Sequence, residues 1–262
     1  MSSAPLLIDV QGPIARLVLN RPEKHNAISL EMWTALPRLV AELEADRDVL
    51  AVVVTGAGGK AFCAGADIAE FGTVYANPET SRAYNDAVRA GQSALERLSK
   101  PTIAMVRGVC VGGGTGIALH CDLRFAADDA RFGITPAKLG VAYSFGDTKK
   151  LVDTVGPARA KDILFSGRLI GAAEAQAIGL VDRLFAPGDL EEETLLYART
   201  LCEGSQYSVR TAKAMIQAIT DGADSETPDT RRRFDDAFSG EDFAEGRTAF
   251  LAKRKPVFGW RG

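Results

Sequence analysis

The chain is poor in the residues that build metal centres and disulfide frameworks. It has two histidines and four cysteines in 262 residues, and Cys63, Cys110, Cys121 and Cys202 form no CxxC pair. That spacing excludes the common zinc ligand sets, so no metal is expected. It also reads as reduced thiols in a cytoplasmic protein. No apolar run approaches the ~18 residues needed to span a bilayer. The N-terminal stretch MSSAPLLIDV lacks the basic and apolar regions of a signal peptide. Cationic excess is missing too: 31 Lys and Arg stand against 34 Asp and Glu, a net charge of −3, which argues against a nucleic-acid partner. Neither a fixed-period repeat nor a low-complexity segment is present.

What is abundant is apolar content, 46%, and glycine, 26 residues. The first half alternates strand and helix patterns. Leu6 to Val10 and Ile14 to Leu19, around Gly12-Pro13, predict a hairpin. Ser29 is placed to cap a helix with Met32, Leu36, Leu39, Val40 and Leu43 on one face. VLAVVVT (49–55) lacks alternation and fits a strand covered on both faces. Asn77-Pro78 predicts a helix start, and that helix ends near Lys100-Pro101. Thr102 to Val106, Cys121 to Ala127 and Arg131 to Thr135 follow as strands. Beyond about residue 145 helices dominate, at roughly 147–155, 157–165, 172–178, 189–203, 207–220 and 227–253, with one strand at Val181 to Phe185. This order predicts an α/β fold with a helical C-terminal part.

Two glycine-rich stretches carry the functional signal: GAGGKAFCAGADIAEF (56–71) and GVCVGGGTGIALH (108–120). Each follows a buried strand and is expected to open a helix, where main-chain N–H groups lack partners. Phosphate loops fit poorly. Gly59-Lys60 is followed by Ala61 rather than Ser or Thr, and Ile117 stands where a dinucleotide fingerprint needs its third glycine. Tight turns with close strand–helix packing account for each stretch taken alone. Together, two such junctions can aim one N–H each at a single oxygen, an oxyanion hole that needs no charged side chain.

These stretches, with NRPEKHNAIS (20–29), AFCAGADI (61–68), KPTIAMVRGVCVGGGTGIALHCDLRFAADDARFG (100–133), FSGRLIGAAEAQAIGLVDRL (165–184) and EDFAEGRTAFLAKRKPVF (241–258), resemble the crotonase (enoyl-CoA hydratase/isomerase) superfamily over nearly the whole chain. The resemblance implies a crotonase-like ββα spiral over residues 1–200. A C-terminal helical subdomain over 201–262 would form a homotrimer or a dimer of trimers and close the active site. It also implies an acyl-CoA thioester as substrate, with coenzyme A entering as part of that substrate and no separate cofactor. The thioester oxygen would lie between the N–H groups of Ala66 and Gly113. Lys24 to Ala27 and Ala64 to Ile68, Asp67 among them, would hold the coenzyme. Phe234, Phe250 and Lys253 of a neighbouring subunit would close over the nucleotide.

Gly116 and Pro136 stand where hydratases of this superfamily usually carry two glutamates, which removes the ordinary pair for activating water. TPAKLGVAYSFGDTKKL (135–151) resembles methylmalonyl-CoA decarboxylases, with Tyr143 at the place of a tyrosine proposed to act there. Decarboxylation forms the enolate without a base, so lyase chemistry of that kind leads. Three alternatives stay open: a hydratase or isomerase using Asp147 or Tyr143, and a catalytically silent acyl-CoA-binding protein. Tyr143 can equally be a core aromatic, and Asp147 the cap of the helix at 148–155. His25 reads as a surface or coenzyme contact, His120 as a satisfied core histidine, and Arg231 to Arg233 as a solvated helix face.

Overall fold

The computed structural model describes residues 4–262; the first three residues of the N-terminal stretch lie outside the described residues. Among the described residues ten strands form two sheets. In the larger, β1 (Leu6–Gln11) pairs antiparallel with β2 (Ile14–Leu19). Then β3 (Ala51–Gly56) follows in parallel. The smaller sheet begins with β4 (Ala61–Cys63). The chain returns to the larger sheet as β5 (Thr102–Val106) and crosses again as β6 (Val109–Val111). It repeats the move with β7 (Leu123–Ala127) and β8 (Arg131–Gly133). After β9 (Leu169–Gly171), antiparallel to β8, β10 (Arg183–Phe185) closes the order β1-β2-β3-β5-β7-β10, with β4-β6-β8-β9 as the second sheet. The two-strand step between sheets, each followed by a helix, is the expected spiral.

β3 shows why its sequence does not alternate. Val52 and Val54 join the main core with Phe62, Leu95, Ala104 and Phe132. Val53 faces the other way, with Ile103, Met105, Phe125, Leu190 and Ala198. Both faces of the sheet are therefore dry at β3, as its position between parallel neighbours requires. The outer face is covered by the helix Leu190–Glu203; the seam expected at residues 200/201 lies within this helix.

Local signals place the other helices. Ser29 Oγ accepts from Met32 N at the start of Leu30–Ala45, whose buried face is Met32, Trp33, Leu36, Val40 and Leu43. Asn77 and Thr80 form a reciprocal capping box on Pro78–Arg97. The helix expected over 227–253 is two helices, Pro228–Ala237 and Glu241–Leu251. Gly240 interrupts it, and Phe238 meets Phe234 and Phe243 edge-on across the break, at 5.1 and 5.5 Å between ring centres. The chain end folds back on Gln206–Thr220, where Asp242 accepts from Ser205 Oγ and from the N–H groups of Gly259 and Trp260. Among the described residues no helix is long and apolar enough to cross a membrane.

Candidate active site

The two glycine-rich stretches meet. A methyl group built on Gly113 would stand 3.7 Å from Ala66 N and 3.8 Å from the Gly65 carbonyl carbon, and one on Gly65 would stand 3.7 Å from Gly113 N. The two amides are neighbours, as the oxyanion-hole reading requires. Each is free for its own reason. Gly113 is the first residue of the helix Gly113–Leu119, so its N–H has no partner in the preceding turn. The other stretch opens a 3-10 turn, Ile68–Glu70, capped by Asp67, and just ahead of that cap lies Ala66. It forms an isolated parallel bridge with Ile28, in which Ile28 N donates to Gly65 O at 2.8 Å and Asp67 N donates to Ile28 O at 2.9 Å. The flanking groups carry the bridge, which turns the N–H of Ala66 away from Ile28.

Both amides are held by tight packing. Gly112 adopts φ 54° and ψ −115°, open to glycine and strained for other residues. A methyl group on Gly114 would lie 2.5 Å from Cys63 O, so the helix end rests directly on β4. Thr115 Oγ1 ties the first turn to Cys110 O and Gly133 O at 2.9 and 3.1 Å. Under Ala66, Asp67 accepts from Arg21 at 2.8 Å and Lys24 at 3.0 Å. The Arg21 and Lys24 cations hold its carboxyl below the usual range. Asp67 and Lys24 thus face each other, with Lys24 half exposed. Cys63 is buried and its thiol is pushed up to about 12 by burial, so it is no nucleophile at neutral pH.

The structure brings a side-chain wall to the same helix. Asp147 is not the helix cap: Ser144 caps Phe145–Val155, accepting from Asp147 N at 3.0 Å. The Asp147 carboxylate instead turns toward Gly116. Its Oδ1 lies 2.9 Å from where a Gly116 Cβ would stand, and the Tyr143 hydroxyl lies 3.4 Å from that point. Oδ1 accepts from Gln92 Nε2 at 2.8 Å and Oδ2 from Ser144 Oγ at 2.7 Å. Burial raises the Asp147 carboxyl above its ordinary range, against the pull of Ser144, His120 and Gln92. Tyr143 donates to Gly112 O at 3.4 Å, and burial beside Asp147 keeps its hydroxyl protonated well above neutral pH. Sequence reading had no means of finding Gln92 or Ser144. They sit on different elements, and nothing in a polar residue's spacing marks it as a partner of Asp147.

Ala64 and Ile68 flank Ala66 in the chain, and Ala27 precedes its bridge partner Ile28. Ala27 gives its carbonyl to Arg21 at 2.8 Å, Ala64 N donates to His25 O, and Ile68 is exposed. His25 closes the turn at Pro22–Lys24 with a left-handed backbone. Phe234 and Phe250, 54% and 83% exposed, and Lys253 belong to the C-terminal helices and the turn after them. Arg231, Arg232 and Arg233 pair with Glu226 and Asp229 on their own segment, the arrangement of a solvated face.

Comparison with known proteins decides the family. The enoyl-CoA hydratase/isomerase family model matches residues 9–261. The chain belongs to this family. A short-chain-enoyl-CoA hydratase from Clostridium acetobutylicum is 35% identical over 95% of each chain. A crotonyl-CoA hydratase from Syntrophomonas wolfei is 34% identical, over 98% of this chain and 99% of that one. Among solved structures, an enoyl-CoA hydratase/isomerase family protein from Hyphomonas neptunium superposes with a TM-score of 0.96 at 44% identity, covering 98% of both chains. The fold and an acyl-CoA-directed enzyme of this superfamily follow; the hydratase activity named for these relatives is theirs.

Proposed function

We propose that this enzyme catalyses proton transfer on an enoyl- or acyl-CoA thioester, as a hydratase or isomerase, with Asp147 as its single acid/base. The observation that carries this is the Asp147 carboxylate lying 2.9 Å from the missing Gly116 Cβ. It supplies, from another helix, a titratable group where the helix itself has none. The thioester oxygen accepts from Ala66 and Gly113. As a proton leaves or joins the carbon next to the thioester, the electron pair moves onto or off that oxygen, and the two amides stabilise the enolate. A carboxyl raised by burial exchanges protons near neutral pH more readily than an ordinary one. One group suffices for isomerisation, taking the proton from one carbon and returning it to another. It suffices for hydration when it takes a proton from water and passes it to the adjacent carbon. Tyr143, protonated, donates to the reacting end. Coenzyme A is part of the substrate, held along 24–27 and 64–68, and the chemistry asks for no other cofactor. A homotrimer in the cytoplasm, with Phe234, Phe250 and Lys253 closing a neighbour's site, completes the reading.

Decarboxylation is the second reading. It is favoured by the presence of one carboxylate rather than two, since loss of CO2 forms the enolate unaided and leaves only reprotonation. Incubating the protein with crotonyl-CoA, a 3-enoyl-CoA and methylmalonyl-CoA, while following the enone absorbance and CO2 release, separates the two. Asp147→Asn is expected to lower hydration or isomerisation by about 10²–10⁴-fold with ester binding retained. Full turnover in Asp147→Asn removes the residue from the mechanism. Tight ester binding without turnover of any of the three identifies a silent binding protein.

A further inference from the structure

Behind Asp147 stands a second carboxylate that the chemistry above does not use. His120, at the end of Gly113–Leu119, is buried between them. Its Nδ1 lies 2.7 Å from Gly116 O, so that nitrogen carries the hydrogen. The same Nδ1 is 3.9 Å from Asp147 Oδ1, and Nε2 is 3.8 Å from Glu96 Oε2. The other oxygen of Glu96 accepts from Lys150 at 2.6 Å and Gln217 at 2.7 Å, at the partly open rim of the helices. Lys150 holds the Glu96 carboxyl ionised against its burial. His120, standing between the two carboxylates, pulls both Asp147 and Glu96 downward. The remaining charged or titratable groups around the cluster are already engaged: Asp122 with Lys213, and Asp221 with Gln217. Tyr143 and Cys121 stay neutral through burial.

We propose that His120 is a positioning residue for Asp147, transmitting the charge of Glu96 from the rim to the buried carboxylate. This rests on the reading of Asp147 as the acid/base. Burial pushes that carboxyl up, and His120 opposes the push. Glu96 has no hydrogen bond to Asp147, and through Lys150 it also pins the helix that carries Asp147, which is why the test reads a pH midpoint rather than activity alone.

The test follows the Asp147 side-chain carboxyl carbon by NMR across pH, identified as the resonance lost in Asp147→Asn. In Glu96→Gln, close to isosteric, its midpoint is expected to rise by about half a pH unit, and in His120→Gln by about one. Where a substrate turns over, the acid limb of the kcat/KM profile moves with it, whereas a merely structural loss lowers kcat/KM at every pH alike. An unmoved midpoint in both variants overturns the proposal; movement in His120→Gln alone overturns the part assigned to Glu96. Neither result depends on turnover. Full activity in Asp147→Asn would instead sink the acid/base assignment and leave the measured coupling standing.

Discussion

Two aspartates border the site, and their surroundings push them in opposite directions. Asp67, beside Ala66, is kept ionised by Arg21 and Lys24. Asp147, beside Gly116, is pushed toward neutrality by burial. The first belongs to a region made of main chain, where carbonyls and amides touch at distances that admit no methyl group. The second belongs to a region made of side-chain ends from separate helices. A backbone cradle needs fixed charges that never change, because its work is to hold two N–H groups still. A proton-transferring wall needs a carboxyl that can change state. The same residue type serves both because its neighbours differ.

Adding one carbon to each region should separate them most. Gly114→Ala places its Cβ 2.5 Å from Cys63 O and 2.7 Å from Cys63 Cβ, and backbone cannot swing aside. A loss of about 3 kcal/mol or more is expected in urea unfolding. A loss below about 1 kcal/mol would show the cradle to be softer than drawn. Gly116→Ala meets instead Gln92 Nε2 at 2.7 Å and Asp147 Oδ1 at 2.9 Å. These are ends of rotatable side chains, so the cost should fall to about 1 kcal/mol. The displaced carboxylate should still cost turnover heavily, so a stable variant with wild-type rates would contradict the placement of Asp147.

The aspartates themselves sharpen the contrast through pH. Asp67 has a lowered carboxyl, so its stabilisation is fully present above the unfolded value of about 3.9 and is lost as pH falls through its folded value. Asp67→Asn should therefore be less stable at neutral pH by about 1 kcal/mol, a modest figure because Lys24 is half exposed and screened. The deficit should vanish in acid. Asp147 has a raised carboxyl, so ionising it in the fold is a penalty, full above its folded value and gone below about 3.9. Asp147→Asn should be slightly more stable than wild type at neutral pH, with the gain shrinking as pH falls. Thermal unfolding of the two variants from about pH 2 to 8 reads both signs, and parallel curves would erase the distinction.

The backbone region was the legible one. Glycine runs announce close approach, and the Ser29 and Asn77 caps, the hairpin around Gly12 and the buried strand at β3 are all local statements that the fold repeats. The short strands β4, β6 and β9 left little trace, because three residues cannot display a period. The freedom of the Ala66 amide was expected from a helix end and comes instead from a bridge to Ile28, a partner far away in the chain. The side-chain wall was half legible. Tyr143 and Asp147 stood out from resemblance, but Asp147 read equally as a cap, and only the fold shows Ser144 in that place. His120 read as a filled core position; its two carboxylate neighbours lie on helices begun at Pro78 and Phe145, and no spacing in the sequence joins them.

The chain's habit of stepping from one sheet to the other has a consequence during synthesis. β4, β6 and β8 are each laid in the small sheet before the large one has received its next strand, and β10 reaches β7 only after β9 has turned back along β8. Neither sheet corresponds to an uninterrupted stretch of polypeptide. A nascent chain that has emerged only as far as Gly171 therefore presents β7 with an open hydrogen-bonding edge, and lacks the helix Leu190–Glu203 that covers Val53, Ile103 and Phe125 on the outer face of the large sheet. A chain cut short at that point carries an unpaired strand edge, a template for pairing with another copy that the complete fold covers with β10.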